Sequence, residues 1–249
     1  MVERDSPVLA SRVAAFVVLG AAVGTWFVVA THIGYPGLWP AILVVAFAVL
    51  PGTLALVFFA LPLWRRNWIL PAAIVLALIA FGTWEANWRL ASNFAKLWAA
   101  VFFGWAFLRL FEELSWVVLV AAIVPIVDVI SVFSPHGPTR TIVEHHFSVY
   151  AGVSVAFFAP GNRAADLGPP DLLFYALFLA ASVRFRLRPG WTWLATTGMY
   201  SLALVIGTAA DTGLPALPFL SFGFFVANAD LLWQRFRPRP KLDDPTTRP

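Results

Sequence analysis

The chain has 249 residues, of which 60% are hydrophobic and only 12% are charged, and its mean hydropathy is +0.80. A soluble domain carries about 25% charged residues, so this composition excludes a single water-facing globule and favours a bilayer as the solvent. The sequence has no cysteine, which excludes disulfides and cysteine-ligated zinc. The net charge of +4 is assigned to short membrane loops and not to nucleic-acid binding, because no basic stripe with interleaved aromatic residues lies outside the apolar runs.

Apolar runs follow one another along most of the chain, and a transmembrane helix needs about 20 such residues. Eight candidate spans are Val13–Thr31, Leu38–Trp64, Trp68–Trp84, Phe94–Phe111, Leu114–Phe133, Asp171–Phe185, Trp191–Ala210 and Leu217–Trp233. The second span contains Pro51, and because neither half could cross alone, we expect one kinked helix. The pattern predicts an all-α, polytopic membrane protein with about eight transmembrane helices.

The lysine and arginine positions predict the orientation. With eight spans and an inner N-terminus, thirteen basic residues fall on the inner side and four on the outer side, as the positive-inside rule requires. The inner set is Arg4, Arg12, Arg65, Arg66, Arg109, Arg184, Arg186, Arg188, Arg235, Arg237, Arg239, Lys241 and Arg248, and the outer set is Arg89, Lys96, Arg140 and Arg163. We therefore expect a multi-pass protein of the cell membrane with both termini in the cytoplasm.

The chain divides into three parts on this interpretation. Residues 1–111 form an N-terminal helical part of the membrane domain, and residues 112–233 hold the candidates for chemistry. Residues 234–249 are rich in proline and charge and predict a disordered basic tail. The one long connection, residues 134–170, contains the apolar stretch Phe147–Phe158, for which the pattern leaves a membrane-surface or a re-entrant segment open.

Two aspartates stand out within or beside the apolar runs. Asp128 lies deep in VVLVAAIVPIVDVISVF, and a carboxylate there costs about 3 kcal/mol on insertion scales, so it is rarely idle. Its structural alternative is a carboxyl group that bonds another helix for packing. Asp171 opens the sixth span after Pro169 and Pro170. Its structural alternative is stronger, because acidic residues and prolines are common in the first turn of a helix.

Two close carboxyl groups can carry out acid–base chemistry without a cofactor. They cannot both ionise easily and therefore share one proton. The ionised group can take a proton from water, while the protonated group donates to a carbonyl or a leaving amine. Sequence alone does not show that Asp128 and Asp171 meet. We predict no cofactor and no metal, because Glu144, His145 and His146 are adjacent ligands without a spaced partner and predict a polar loop.

A third feature is the segment LPALP, residues 214–218. Its two prolines leave backbone groups unpaired before the last span. The structural interpretation is a proline-rich turn that leads into a helix. The functional interpretation is an unwound segment beside a site, able to pair with an extended peptide.

Three segments in this order resemble motifs of the presenilin and signal peptide peptidase family, the GxGD-type intramembrane aspartyl proteases. VDVISVFSPHGPTRTIVE, residues 127–144, is similar to the presenilin sixth-span motif and the segment after it. LGPPDLLFYALFLAAS, residues 167–182, resembles the GxGD span with its Phe-Tyr pair. LPALPFLSFGF, residues 214–224, resembles the Pro-Ala-Leu motif and the start of the final helix. The resemblance covers residues 100–233, roughly.

The resemblance implies a presenilin-like fold and a catalytic pair made of Asp128 and Asp171. The substrate-binding residues that it implies are Gly168, the first glycine of GxGD, together with Pro215, Ala216 and Leu217. The implied substrate is a membrane-spanning helix of another protein, which is locally unwound and cut within the bilayer. The partners are therefore transmembrane helices and the lipid bilayer, and the sequence does not indicate whether partner subunits exist.

The chain departs from the family at several points. Val127 stands where a tyrosine usually precedes the first aspartate, Pro170 stands where GxGD has its second glycine, and we count eight spans where the family has nine. The charge bias places the loop after Asp128 outside, as in the signal peptide peptidase branch, although the motifs are closer to presenilin.

Two other functions remain open at this point. One is a catalytically inactive presenilin-like protein that binds membrane helices, since GxGD reads GPPD here. The other is a proton-coupled transporter that relays protons through the two membrane carboxylates. Many transporters are built from two related halves, and no half of this chain resembles the other.

Overall fold

A computed structural model describes residues 6–134 and 137–237. Its helices are α1 Ser6–Val29, α2 Leu38–Val44, α3 Leu50–Ala60, α4 Ile69–Glu85, α5 Arg89–Leu108, α6 Leu114–Phe133, α7 Pro138–His145, α8 Phe147–Val153, α9 Pro169–Arg184, α10 Pro189–Ala209 and α11 Leu217–Phe236. A short antiparallel hairpin, β1 Val155–Ala159 and β2 Asn162–Leu167, lies between α8 and α9. The predicted helical fold class is confirmed, and the hairpin is an addition to it.

Part of the predicted set of spans meets the length and hydropathy that a membrane crossing requires. Within the described residues, the four helical segments that do so are Ala10–His32, Leu38–Arg65, Arg89–Leu108 and Leu114–Phe133. Ile69–Glu85 is apolar but shorter. The chain is therefore a membrane protein by its apolar helices, whereas the number of eight transmembrane helices stays a prediction.

The segment Leu38–Arg65 is a single helical run, as predicted from its composition. Pro51 has no N–H to donate to the preceding turn, so the regular hydrogen-bond ladder is interrupted there. A wider π-helical turn, Val45–Val49, lies directly before it. Ser201 on α10 donates from Oγ to the Ala46 carbonyl at 2.5 Å, which ties α10 to this irregular turn.

Helix α9 lies at the centre of the fold. Every residue from Tyr175 to Ala181 is at most 1% exposed, and α9 contacts α5, α6, α10 and α11. Gly104 brings α5 close to α9, because a Cβ at that position would overlap the Leu173 carbonyl oxygen. In contrast, α1 and α6 leave most of their apolar side chains on the outside of the bundle, where lipid would surround them.

The hairpin is held against α5 by two buried polar side chains. Asn93 donates from Nδ2 to the Ala156 carbonyl at 3.0 Å and accepts the Ala156 N–H at 2.8 Å, so it pairs with β1 as a neighbouring strand would. Lys96 donates from Nζ to the carbonyls of Ala151 and Ser154 at 2.9 and 3.2 Å. The hairpin and α8 therefore form a folded cap over one end of α5, built from the segment that the sequence left open.

Arginines join the helix ends at the opposite end of α5. Arg109 donates to the Arg66 carbonyl at 2.6 Å, Arg184 to the Leu108 carbonyl at 2.6 Å and Arg235 to a carbonyl of the α9–α10 turn at 2.7 Å. Each guanidinium donates to a backbone carbonyl at or next to a helix end, and the carbonyls of Arg66 and Leu108 also accept a backbone N–H in a turn. Arginines that the charge bias predicts on the inner side thus meet at one end of the bundle.

Two smaller expectations concern loops. The predicted polar loop around His145 and His146 differs from the structure, where α7 continues to His145 before the chain turns into α8. The predicted basic tail overlaps the end of α11, which extends to Phe236. Residues 238–249 of that tail, and Arg4 at the other terminus, lie outside the described residues.

The topology predicts that the two ends of α4 lie on opposite sides of the membrane. Because the chain has no cysteine, the single variants Arg66→Cys and Glu85→Cys, both at exposed positions, can be labelled without background. In cells whose outer envelope layers are removed but whose cell membrane is intact, an impermeant maleimide should label the thiol introduced at position 85. The thiol introduced at position 66 should be labelled only after permeabilisation. Labelling of both from the same side would show that α4 does not cross, and would refute the eight-helix topology.

Candidate active site

Asp128 is held by the backbone of the LPALP segment. It lies on α6, is half-buried, and its Oδ2 accepts the N–H of Leu217 at 3.0 Å. Helix α6 packs along α11, which brings the carboxyl group to the beginning of that helix. Pro125 lies one turn before Asp128 and removes a backbone donor from that turn of α6.

The partner of Asp128 follows from the sequence of LPALP. Leu217 is the first residue of α11, and the first N–H groups of a helix have no partner within it. Pro218 follows and has no N–H, so of the first two residues of α11 only Leu217 can donate a backbone hydrogen bond. The positive end of the helix dipole also favours a carboxylate at this point.

Asp171 is tied down through both its side chain and its backbone. It is the third residue of α9, after Pro169 and Pro170, and its Oδ2 accepts the N–H of Gly168 at 3.0 Å. An acidic residue at the third helical position often caps the helix in this way. Its backbone carbonyl accepts a hydrogen bond from the Tyr200 hydroxyl at 2.7 Å. Position and rotamer of Asp171 are therefore fixed from two neighbouring elements.

The two carboxyl groups lie on helices that contact each other, α6 and α9. They are also linked through the start of α11, because Asp128 accepts the Leu217 N–H and α11 contacts α9. In each aspartate Oδ2 accepts a backbone N–H, whereas Oδ1 accepts no hydrogen bond within residues 6–134 and 137–237. One oxygen of each carboxyl group is thus left for water or substrate. That the two carboxyl groups lie close enough for one water molecule to bridge them stays a prediction.

A cleft of about 820 Å³ opens beside the pair, within the range of about 300–1,000 Å³ that is typical of ligand pockets. Its walls come from α2, the start of α3, the end of α6, α7, α8, β2, α10 and the segment before α11. Neither aspartate of the pair is among its lining residues, which include Val132, Phe133, Leu167, Tyr200, Leu214 and Ala216. The cleft therefore reaches from the strand that leads into Asp171 to the segment that holds Asp128.

The predicted substrate-binding residues lie around this cleft in different ways. Ala216 lines it, while Gly168 and Leu217 reach the site through their backbone N–H groups, which bond the carboxyl groups. Pro215 is buried and is not among the lining residues. Gly168 has no spare room, because a Cβ there would lie 3.3 Å from Oδ2 of Asp171.

The site also contains a residue for which the sequence gives no signal. Tyr200 belongs to none of the three motifs, and a single tyrosine within an apolar helix is ordinary. Only the packing of α10 against α9 shows its contact with Asp171. The described residues include no group of three or more histidine, aspartate or glutamate side chains that could hold a metal ion.

The chain was compared with models of known protein families and with curated protein sequences, and neither comparison gives a match. Any assignment of function therefore rests on the site itself.

The Leu217–Asp128 bond makes a prediction about stability. Asp128→Ala leaves a half-buried N–H without a partner and should lower the free energy of unfolding by about 1–3 kcal/mol. Asp128→Asn keeps an oxygen that can accept the bond and should stay close to wild type. Thermal unfolding in detergent measures both, and equal losses for the two variants would show that this bond does not hold α6 to α11.

Proposed function

We propose that the protein is an intramembrane aspartyl protease that hydrolyses peptide bonds of transmembrane helices with an Asp128–Asp171 dyad. The observation that carries the proposal is the contact among three distant segments: α6 with Asp128, α9 with Asp171, and the LPALP segment with Leu217. The presenilin-like resemblance implies that these segments meet, and these contacts support the proposal. A cleft large enough for an extended peptide opens nearby.

The dyad supplies both halves of the reaction. One ionised carboxyl group takes a proton from water as the water oxygen attacks the scissile carbonyl carbon, and the protonated partner donates to the carbonyl oxygen. The tetrahedral intermediate then collapses, the C–N bond breaks, and the leaving amine takes a proton from a carboxyl group. The two aspartates titrate as a pair, so neither role belongs to one residue. Their Oδ1 atoms are the groups free to exchange these protons.

The substrate must unwind before it is cut, because a helix keeps its amides bonded within itself and shielded. Two extended segments flank the cleft: β2, and residues 213–215 before α11, which have no regular structure. Each offers backbone groups with which an unwound peptide can pair. We infer that one cleft wall receives the peptide and that the dyad, which adjoins the cleft through Tyr200 and the start of α11, cuts it.

In the membrane, we infer that α4, α9, α10 and α11 cross together with the four strongly apolar segments. Asp171 lies near the start of α9 and Arg184 at its end, so about 20 Å of helix separates the dyad from the arginine end. With the arginine end in the cytoplasm, this distance puts the dyad inside the hydrocarbon layer, about 30 Å thick, toward its outer half. We propose the cell membrane as the location, with both termini cytoplasmic.

One alternative has support from a specific observation. Both carboxyl groups have an ordinary structural partner at a helix start, as a catalytically inactive helix-binding protein would retain. GPPD in place of GxGD is the sequence feature that favours it. The transporter alternative has no such support, and the experiment below separates all three.

Purified protein in liposomes should cut a model transmembrane helix, with a bell-shaped pH profile from the coupled pair. Asp128→Asn and Asp171→Asn should each lower the rate by at least about 10³-fold, because residues that act as a unit fail together. Asparagine is chosen because it can keep the capping bonds but cannot exchange the proton. Chelators should leave the rate unchanged, since the proposed reaction uses no metal.

Two outcomes would favour the alternatives, and one further variant tests the effect of Pro170. Wild type that binds the helix without cutting it supports the inactive relative. Proton movement across the liposome that is lost in both asparagine variants supports the transporter. Pro170→Gly restores the second glycine of GxGD, and a faster cut by this variant would show that the proline lowers activity.

Close packing at Gly168 gives a separate prediction. Gly168→Ala places a Cβ against the Asp171 carboxyl group. The cleavage rate should fall by about tenfold or more, because even a small displacement of a catalytic group slows the reaction strongly. Gly198→Ala is the matched control, since a Cβ there meets nothing within 4 Å. Equal rates for the two variants would place Asp171 outside the reaction or show that its carboxyl group tolerates the displacement.

A further inference from the structure

Tyr200 makes a direct contact with a dyad residue from a helix that carries none of the recognised motifs. Its hydroxyl donates to the Asp171 carbonyl at 2.7 Å, and its side chain is 2% exposed. The same side chain lines the cleft. Tyr200 therefore stands at the junction between α10, the first turn of α9 and the place where a substrate would lie.

The bond falls at the first turn of α9, whose N–H groups have no partner within the helix. Pro169 and Pro170 restrict the backbone there, and the Asp171 carboxyl group caps the turn through the Gly168 N–H. A hydroxyl from α10 on the Asp171 carbonyl holds this turn from the side. Since the side chain of Asp171 starts from the same residue, any shift of the turn moves the carboxyl group.

A second tyrosine provides a close comparison. Tyr175 is also buried, and its ring centroid lies 6.0 Å from that of Tyr200. Its hydroxyl bonds the Thr197 hydroxyl at 3.3 Å and the Leu54 carbonyl at 3.4 Å. The two phenols thus share a buried setting, but their recorded hydrogen bonds differ: only the Tyr200 hydroxyl bonds Asp171.

We propose that Tyr200 is a positioning residue for the dyad, whose hydroxyl fixes the first turn of α9 and thereby the position of the Asp171 carboxyl group. The proposal rests on the proposed protease function. It assigns to α10 a part in the reaction that none of the three motifs contains. The hydroxyl acts on the backbone of Asp171, so it takes no proton from the substrate.

The test compares Tyr200→Phe with Tyr175→Phe in liposomes. Each variant removes one buried hydroxyl, so the two should lose similar thermal stability. Tyr200→Phe should lower kcat on the order of 10–100-fold with KM unchanged, because a misplaced carboxyl group slows the chemical step and leaves helix binding intact. Tyr175→Phe should keep kcat within about twofold of wild type. The pH profile should change shape in the first variant only.

A second readout does not depend on cleavage. The infrared band of the Asp171 carboxyl group, obtained as the difference between wild type and Asp171→Asn, should shift in Tyr200→Phe and stay in place in Tyr175→Phe. If wild type cuts and Tyr200→Phe changes neither kcat nor this band, the positioning role is refuted and the protease function stands. If wild type cuts no helix but the band shifts, the protease function is refuted and the structural hold of Tyr200 on Asp171 stands.

Discussion

The hydrogen bond from the Leu217 amide to the Asp128 carboxyl group is the constraint on which the arrangement of the site depends. Within a bilayer, an N–H at a helix start and a carboxylate in an apolar helix both lack water, so each needs the other as a partner. Their pairing fixes α6 along α11. Helix α9 contacts both of these helices, and the cleft opens beside the end of α6, α10 and the segment before α11.

The central position of α9 bears on the proposed crossing of α9, α10 and α11, which hydropathy alone does not identify. A helix enclosed by protein does not need a lipid-compatible surface, and the helices that enclose it can turn polar groups inward. Asn228 on α11 donates to the Thr192 hydroxyl on α10 at 2.9 Å, and both side chains are buried. Such residues lower the hydropathy of α10 and α11 without placing polar groups on the outside of the bundle. In contrast, α6 leaves most of its surface on the outside and is apolar and long enough to span a membrane.

The sequence predicts well what depends on local composition. The bounds of Leu114–Phe133 agree with α6 at both ends, because an apolar run stops there at polar residues. The hairpin escaped prediction because its stability comes from Asn93 and Lys96, which lie more than 50 residues earlier in the chain. Tyr200 escaped for the same kind of reason: its role is a contact between helices, and its own neighbourhood in the sequence is that of any apolar helix.

The structural and catalytic interpretations of the two aspartates are compatible with each other. An unsupported carboxyl group in an apolar helix would adopt several rotamers, and a catalytic pair needs one geometry held before the substrate arrives. In both residues one oxygen accepts a backbone N–H from a helix start, and the other accepts no hydrogen bond within the described residues. Capping therefore supplies the fixed geometry that acid–base chemistry needs and occupies only one oxygen of each carboxyl group.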